Sequence, residues 1–338
     1  MFDRAERIAF NALPAAWASP LGGDMWAHPY LQAVNLVHAT KQDPHIWTHD
    51  GDMSETFGLE PNFGCCTANF NQGWPKLISQ VVMAMPAVGG AAVTLLIPAN
   101  ATLPDGSSVR VQTAYPFEDT VRVTCSPKGK AVPLWIRVPN WATQATMNGK
   151  KVAAGTFTKA SCAPGGRNTF TLALAPEITI EAWAGDKAGG AAKAPAFSVV
   201  RGPLLFSLPI SHNFTTYGRH FNASNGGESN DYYLQPTEKA RWNYALVVDP
   251  QNPSKTLTFA PGCPYKAGAA PFNRTGPLSI TASARLLPSW GELSVNSAAP
   301  PPLSPACVNA SAACGVATEL TLVPHGYTEL RIGEFPLA

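Results

Sequence analysis

The hydrophobic periodicity of this chain changes near residue 89, and this change limits the folds available to it. Before residue 89 the spacing is helical. Asp3 and Glu6 are spaced as in a capping box, and an apolar stripe begins at Ile8. A second helix is predicted from about Trp74 to Met85. Two helices cannot bury both of their faces against so little else, so we expect further sequence upstream.

After residue 89 apolar residues alternate with a period of two, which is typical of β-strands. Asn148-Gly149 predicts a two-residue hairpin turn. Segments 211–231 and 297–316 are interpreted as polar or Pro/Ala-rich excursions, and 184–196 as a flexible linker or the tip of a long hairpin. The predicted strands are 92–97, 134–138, 170–174, 178–180, 197–200, 204–208, 244–248, 257–259, 278–284, 292–295, 319–323 and 329–332.

These patterns predict a mixed, mainly β protein in which a short helical part precedes one or two β-sandwich modules. The 32 prolines and 28 glycines follow no period, which fits a loop-rich β architecture. We divide the chain into segments 1–88, 89–210 and 211–338.

Charge and hydropathy exclude two classes of partner. The formal net charge is only +2 and charged residues make up 14% of the chain, so no basic surface for nucleic acid is predicted. No apolar run reaches the roughly 18 residues that a membrane-spanning helix requires. The sequence therefore predicts neither a nucleic-acid partner nor a membrane partner.

The seven cysteines include one adjacent pair, Cys65 and Cys66. Neighbouring cysteines seldom bridge to each other, because the ring that they close is strained. Such a pair is better explained by two thiolates that bind one soft metal, or by one cysteine that acts as a nucleophile beside another that binds a metal. The alternative is two core thiols, because no other cysteine follows at zinc-finger spacing.

The other cysteines receive simpler interpretations. Cys307 and Cys314 flank a small-residue loop and can close a local disulfide. Cys125, Cys162 and Cys263 are interpreted as buried free thiols, because their spacing identifies no metal site.

Five Asn-x-Ser/Thr sites mildly favour a secretory compartment for the parent protein, whereas the charged N-terminus has no signal-like apolar core. These sites are Asn100, Asn213, Asn222, Asn273 and Asn309.

The loop before the cysteine pair is rich in histidine, tryptophan and acidic residues. His45 and His49 are four residues apart, but Pro44 and Gly51 argue against a helix there, so hydrogen bonding to a polar ligand is the preferred interpretation over metal ligation. Glycosidic chemistry requires carboxyl groups, and four of them precede the pair, although loop carboxylates are often only solvated. The four are Asp50, Asp52, Glu55 and Glu60.

The residues around the pair, Phe63–Lys76, resemble the Cys-Cys motif of glycoside hydrolase family 127, which includes β-L-arabinofuranosidases. Further blocks agree in order along nearly the whole chain. They are Asp3–Leu13, Met25–Tyr30 with Gln32–Asn35, Leu134–Trp141 with Asn148-Gly149, Arg201–Phe206 and Pro324–Ile332.

This resemblance implies the tail of an (α/α)6 barrel followed by β-sandwich domains. It implies a zinc-dependent retaining glycosidase with a carbohydrate substrate, in which Cys65 is the nucleophile and Cys65 and Cys66 contact the zinc; the reverse roles of the two cysteines stay open. Glu6, Trp26 and His28 are carried over as substrate-binding residues. The remaining zinc ligands and the acid/base Glu of the family lie upstream of the region where this chain begins, so we expect the chain alone to be inactive. A non-catalytic carbohydrate-binding or structural β-sandwich remnant is the alternative.

Overall fold

The computed structural model describes residues 1–17, 27–42, 51–58, 64–183, 196–222, 227–261, 272, 276, 278–293, 296–307 and 314–338, without the side chains of 67, 219–222 and 227–229. These residues form a mainly β protein with several sheets. They divide into two compact units. The first unit contains Met1–Phe10 and Asn71–Glu177, and the second contains Asn11–Phe70, Ile178–Cys263 and Ala270–Ala338.

The described residues contain three α-helices, four short 3-10 helices and 21 strands. The α-helices are α1 (Phe2–Phe10), α2 (Gly64–Phe70) and α3 (Gly73–Ile78), and the 3-10 helices are Pro14–Ala16, Pro86–Val88, Pro253–Lys255 and His325–Tyr327. The strands are β1 (Asn35–Leu36), β2 (Val82–Met85), β3 (Gly90–Val93), β4 (Ala99–Thr102), β5 (Ser108–Thr113), β6 (Thr120–Ser126), β7 (Val132–Arg137), β8 (Thr146–Met147), β9 (Lys150–Lys151), β10 (Phe157–Cys162), β11 (Asn168–Ala173), β12 (Ile178–Trp183), β13 (Ala196–Arg201), β14 (Leu204–Pro209), β15 (His212–Asn222), β16 (Gly227–Pro236), β17 (Tyr244–Leu246), β18 (Leu257–Pro261), β19 (Leu278–Leu286), β20 (Ala317–Pro324) and β21 (Arg331–Ile332).

The first unit contains two sheets together with α1 and α3. One sheet has the strand order β10-β7-β3-β2, and the other has the order β4-β5-β6-β11-β8-β9. The pairing of β3 with β7 is parallel, whereas the other pairings in these sheets are antiparallel. At Gly90 in β3, an added Cβ would lie 2.3 Å from the Pro133 carbonyl oxygen of β7. The two backbones approach so closely there that only glycine fits.

The predicted strand around Leu134 and the hairpin at Asn148-Gly149 are confirmed. Leu134 and Ile136 are fully buried on one face of β7, as their alternation predicts. Asn148 and Gly149 have φ values of 50° and 78° and connect β8 to β9. These are the positive dihedrals that this hairpin turn requires.

The helix predicted from Trp74 to Met85 is wrong in its second half. Helix α3 ends at Ile78, and Val82–Met85 form β2, which pairs with β3. A short apolar run fits a buried strand as well as a helix, so periodicity alone cannot distinguish them. Antiparallel hydrogen bonding to the backbone of β3, which follows after a short 3-10 helix, decides that this run is a strand.

The interpretation of Cys125 and Cys162 as free thiols is also wrong, because these residues form a disulfide between β6 and β10. The bridge therefore joins the two sheets of the first unit. Spacing along the sequence does not reveal such a pairing. The local disulfide between Cys307 and Cys314 is confirmed, and Cys263 lies outside the described residues.

The second unit contains a nine-stranded sheet with the order β1-β21-β14-β20-β19-β17, to which β12, β13 and β18 are added through their pairings with β13, β14 and β19. Its core includes two buried basic side chains, His325 and Arg331. His325 Nδ1 lies 2.9 Å from the Ser207 hydroxyl, and the Arg331 guanidinium donates to the carbonyl oxygens of Thr328 and Glu329 at 2.8 and 3.2 Å. Burial and the nearby Arg331 charge hold the pKa of His325 well below its usual value, and burial lowers the pKa of Arg331 to about 10.

The segment predicted as a polar excursion, 211–231, instead lies mostly in a long hairpin formed by β15 and β16. Cross-strand aromatic pairs support the hairpin. Tyr217 stacks on Tyr233 with ring centroids 4.1 Å apart, and Phe214 meets Tyr232 edge-on at 5.5 Å. These partners lie more than fifteen positions apart, beyond the reach of a local pattern. The predicted linker lies outside the described residues except at its last residue, which begins β13.

Two details of the first helix differ from the prediction. Helix α1 begins at Phe2, so Asp3 is not its N-cap and the Asp3–Glu6 capping box is wrong. Both carboxylates instead contact Arg137. Ile8, expected in the buried stripe, is 63% exposed. Within the described residues, no helix has the length and apolar character needed to cross a membrane.

Candidate functional site

Cys65 and Cys66 are the second and third residues of α2. Their Sγ atoms lie 3.6 Å apart, and neither cysteine is in a disulfide. Cys65 is exposed and Cys66 is half-buried. The side-chain amide of Asn69 donates to the Cys65 carbonyl oxygen at 2.7 Å, which ties the first turn of α2 to its last. The two thiols are therefore reduced, adjacent and open to a ligand.

The sulfur separation can be compared with the geometry of a zinc site. Two thiolates bound to one tetrahedral zinc at about 2.3 Å each lie roughly 3.8 Å apart. The observed 3.6 Å is close to this separation. The pair thus fits two of the four ligands of a zinc ion. No group of three or more His, Cys, Asp or Glu that could hold a metal occurs within the described residues.

The protonation of the pair depends on its surroundings. Burial, the hydrogen bond to Cys65 and the charge of Cys65 raise the pKa of the Cys66 thiol. Without a cation nearby, Cys66 therefore stays protonated at neutral pH. A coordinating metal reverses this preference, because a ligated thiol loses its proton.

His28 is buried beside the far end of α2. Its ring stacks on Phe70, the last residue of that helix, with centroids 4.7 Å apart. Its backbone pairs with Gly58, and its Nδ1 lies 3.5 Å from the Pro29 carbonyl oxygen. His28 Nε2 is buried without a hydrogen-bond partner among the residues that the structure describes. Burial also lowers the pKa of His28, so the ring is neutral at pH 7.

Glu6 lies in the first unit, where it is fully buried. Its Oε1 accepts the Leu96 backbone N–H at 2.7 Å and forms an ion pair with Arg137 Nη2 at 2.5 Å. Its Oε2 accepts the Tyr115 hydroxyl at 2.9 Å. Both oxygens are therefore occupied by internal partners, which gives Glu6 a structural role. Its contact with a substrate stays a prediction.

The remaining candidates from the loop are only partly described. Asp52 forms an ion pair with Lys41 at 3.1 Å, and Glu55 is fully buried with its carboxylate against the Gln42 amide. The others lie outside the described residues. They are Trp26, His45, His49, Asp50 and Glu60.

One feature of the second unit was not foreseen from the sequence. A cleft of about 180 Å³ is lined by residues that include His212 and Glu329. His212 Nε2 lies 3.7 Å from Glu329 Oε2, and His212 Nδ1 lies 2.6 Å from the Ile210 carbonyl oxygen. Because His212 begins a hairpin that was interpreted as an excursion, no sequence signal placed these two side chains together.

Comparisons with known proteins agree with this fold. Residues 90–161 match the family model described as the GH127 middle domain of beta-L-arabinofuranosidases. A comparison with curated proteins finds no match.

Three solved structures are similar over the whole length of this chain. A protein titled glycoside hydrolase has a TM-score of 0.60 at 16% identity and is covered over 48% of its own length. A GH127 beta-L-arabinofuranosidase from Geobacillus stearothermophilus T6 has a TM-score of 0.54 at 15% identity and 46% coverage. A GH127 beta-arabinofuranosidase has a TM-score of 0.56 at 14% identity and 45% coverage. This chain, covered 100% in each comparison, thus spans about half the length of these structures. The chain thus resembles GH127 proteins, with a segment that matches the family's middle domain and a fold similar to that of solved members.

Proposed function

We propose that this chain is part of a retaining glycoside hydrolase of the GH127 type that removes β-L-arabinofuranosyl or similar units from glycoproteins or cell-wall glycans. The observation that carries the proposal is the reduced pair Cys65 and Cys66, whose sulfur atoms lie 3.6 Å apart, in a chain with a GH127-like middle domain. The proposal includes the finer architecture, in which α1–α3 belong to the end of an (α/α)6 barrel and the sheets form β-sandwich domains.

Cys65 is the proposed nucleophile because it is the more exposed of the two sulfurs. Its sulfur would bond to the anomeric carbon as the bond to the leaving oxygen breaks, and a carboxylic acid would protonate that oxygen. Water would then cleave the sulfur–carbon bond and release the sugar. The reverse assignment, with Cys66 as the nucleophile, is the alternative.

The sulfur spacing supports zinc as the cofactor, with Cys65 and Cys66 as two of its ligands. Bound zinc would hold the attacking cysteine as a thiolate at neutral pH. The acid/base Glu and the other two ligands are expected from sequence upstream of this chain. We therefore propose that the 338 residues alone bind zinc weakly and do not turn over substrate.

Metal analysis of the purified chain tests this proposal. Zinc binding is measured by titration calorimetry for the wild type, Cys65→Ser and Cys66→Ser, with Asn71→Ala just beyond α2 as the matched control. We expect each serine variant to lose zinc binding and the control to keep it. Zinc binding unchanged in both serine variants would contradict the assignment. Stoichiometric zinc together with turnover of a chromogenic β-L-arabinofuranoside would overturn the proposed inactivity.

A non-catalytic carbohydrate-binding or structural protein is the second candidate. Stable folding of the chain without zinc would favour it. Glycan binding that survives the double substitution Cys65→Ser/Cys66→Ser, without turnover in the wild type, would support it.

A further inference from the structure

Two Asn-x-Thr sites lie on exposed strand faces, one in each compact unit. Asn100 and Thr102 belong to β4, and Asn213 and Thr215 belong to β15. Residues two apart in a strand point to the same face of the sheet. All four side chains are exposed to solvent. At both sites the acceptor asparagine and the threonine that completes the site therefore share an open face.

Both strands also lie at an edge. Strand β4 pairs only with β5, and β15 pairs only with β16, within the described residues. Side chains project from the faces of a sheet, and an edge strand also leaves one flank open, so a bulky group at an exposed position of such a strand meets no packed strand. A group attached at Asn100 or Asn213 would therefore project into solvent.

The disulfides are an independent observation that points to the same compartment. Cys125 and Cys162 bridge two sheets, and Cys307 and Cys314 close a local loop. Such disulfides form and persist in secreted proteins and in the lumen of the secretory pathway. Asparagine-linked glycosylation belongs to the same setting.

We propose that Asn100 and Asn213 are acceptor sites for asparagine-linked oligosaccharides. The donor is a lipid-diphosphate-linked oligosaccharide. The side-chain amide nitrogen forms a bond to the anomeric carbon of the first sugar, while the bond from that carbon to the diphosphate oxygen breaks. The amide loses one proton to a base, and the lipid diphosphate departs with the electron pair of the broken bond.

The chain contains its own matched control. Asn252-Pro253-Ser254 also has an asparagine followed two positions later by a hydroxyl residue, and the side chains of Asn252 and Ser254 are exposed. A proline in the middle position blocks glycosylation. Asn252 therefore reports any modification that depends on exposure alone. The substitution Pro253→Ala converts this segment into a third acceptor site of known exposure.

The 338-residue chain is expressed in a eukaryotic host behind a cleavable secretion signal, and its peptides are mapped after enzymatic deglycosylation in heavy-oxygen water. We expect labelled Asp at positions 100 and 213 and unmodified Asn252. Thr102→Ala and Thr215→Ala should each remove one label, whereas Thr102→Ser should keep it. Pro253→Ala should add a label at position 252, which confirms that the host modifies exposed sites in this chain.

Label absent from Asn100 or Asn213 while the Pro253→Ala variant is labelled would overturn the proposal for that site. Label at Asn252 in the wild type would overturn it for both, because the signal would then report deamidation. The proposal is independent of glycosidase activity, so its outcome does not depend on the Cys65–Cys66 site.

Discussion

Replacing Glu6 by alanine should strongly destabilise the first unit. Glu6 is fully buried and pairs with Arg137, whose side chain is 5% exposed. Arg137 is also held by the Thr94 carbonyl oxygen at 2.5 Å and by Asp3. Burial opposes the charge on Arg137, but Glu6 outweighs it and raises the Arg137 pKa. Arg137 nevertheless stays charged when Glu6 is removed, because a guanidinium is not deprotonated in proteins and Asp3 still faces it.

The magnitude follows from what the substitution leaves behind. Breaking a buried ion pair by removing one partner costs about 3–5 kcal/mol, because the other charge stays buried. The Leu96 N–H and the Tyr115 hydroxyl also lose their acceptors, and each buried group left unsatisfied costs about 1–3 kcal/mol. These costs do not add in full, because Asp3 still forms an ion pair with Arg137 and compensates part of its charge. We expect Glu6→Ala to lower the free energy of unfolding by about 4 kcal/mol.

The double variant Glu6→Leu/Arg137→Met distinguishes the pair from simple packing. Removing both charges leaves no buried unpaired ion, so the double variant should be more stable than Glu6→Ala. Denaturant unfolding gives the free energies, and hydrogen exchange at the Leu96 amide reports the first unit directly. A loss below about 1 kcal/mol in Glu6→Ala, or a double variant no more stable than Glu6→Ala, would refute this reasoning.

Three further predictions follow from the fold. Cys125→Ala/Cys162→Ala opens a loop with a sequence separation of 37, so the free energy of unfolding should fall by about 4 kcal/mol on the chain-entropy estimate. Denaturant midpoints unchanged from the oxidised wild type would contradict this. Burial and the nearby Arg331 guanidinium hold the pKa of His325 below its usual 6.5, so at acidic pH the unfolded chain binds a proton that the folded chain does not. The contribution of His325 to stability should therefore be complete above about pH 6.5 and fall as the pH decreases. His325→Asn should flatten the acid side of the stability profile, and an unchanged profile would count against this assignment. Gly90→Ala places a Cβ 2.3 Å from a β7 carbonyl oxygen and should cost about 1–3 kcal/mol, whereas Gly166→Ala, with nothing within 4 Å, should be nearly neutral; equal melting temperatures for the two variants would show that the close approach is relieved without cost.

Several elements could be predicted because their information is local. The alternation of Leu134 and Ile136 marks the buried face of β7, and Asn148-Gly149 supplies the positive dihedrals of a hairpin turn. Cys307 and Cys314 are close enough along the chain to find each other. Each of these signals lies within a short stretch of consecutive residues, so no distant partner is needed to interpret it.

The candidate site was predicted only in part. The adjacency of Cys65 and Cys66 and the resemblance of their flanks identified the pair, but not the 3.6 Å between their sulfurs or the ring of His28 stacked on the end of their helix. The resemblance carried Glu6 over as a substrate-binding residue, which stays a prediction; sequence did not reveal that its oxygens face Arg137 and Tyr115, over a hundred positions away.

By itself, the sequence determined the mainly β class, the change of periodicity near residue 89, the local turns and the adjacent cysteine pair as the candidate site. Only the tertiary structure decided that Cys125 bridges to Cys162, that Val82–Met85 form a strand, and that 211–231 belong to a hairpin. Each of these depends on a partner brought close by sheet formation. The disulfide joins residues 37 positions apart, and an apolar run such as Val82–Met85 becomes a strand only through hydrogen bonds to another segment, so the pattern of neighbouring residues alone does not decide these features.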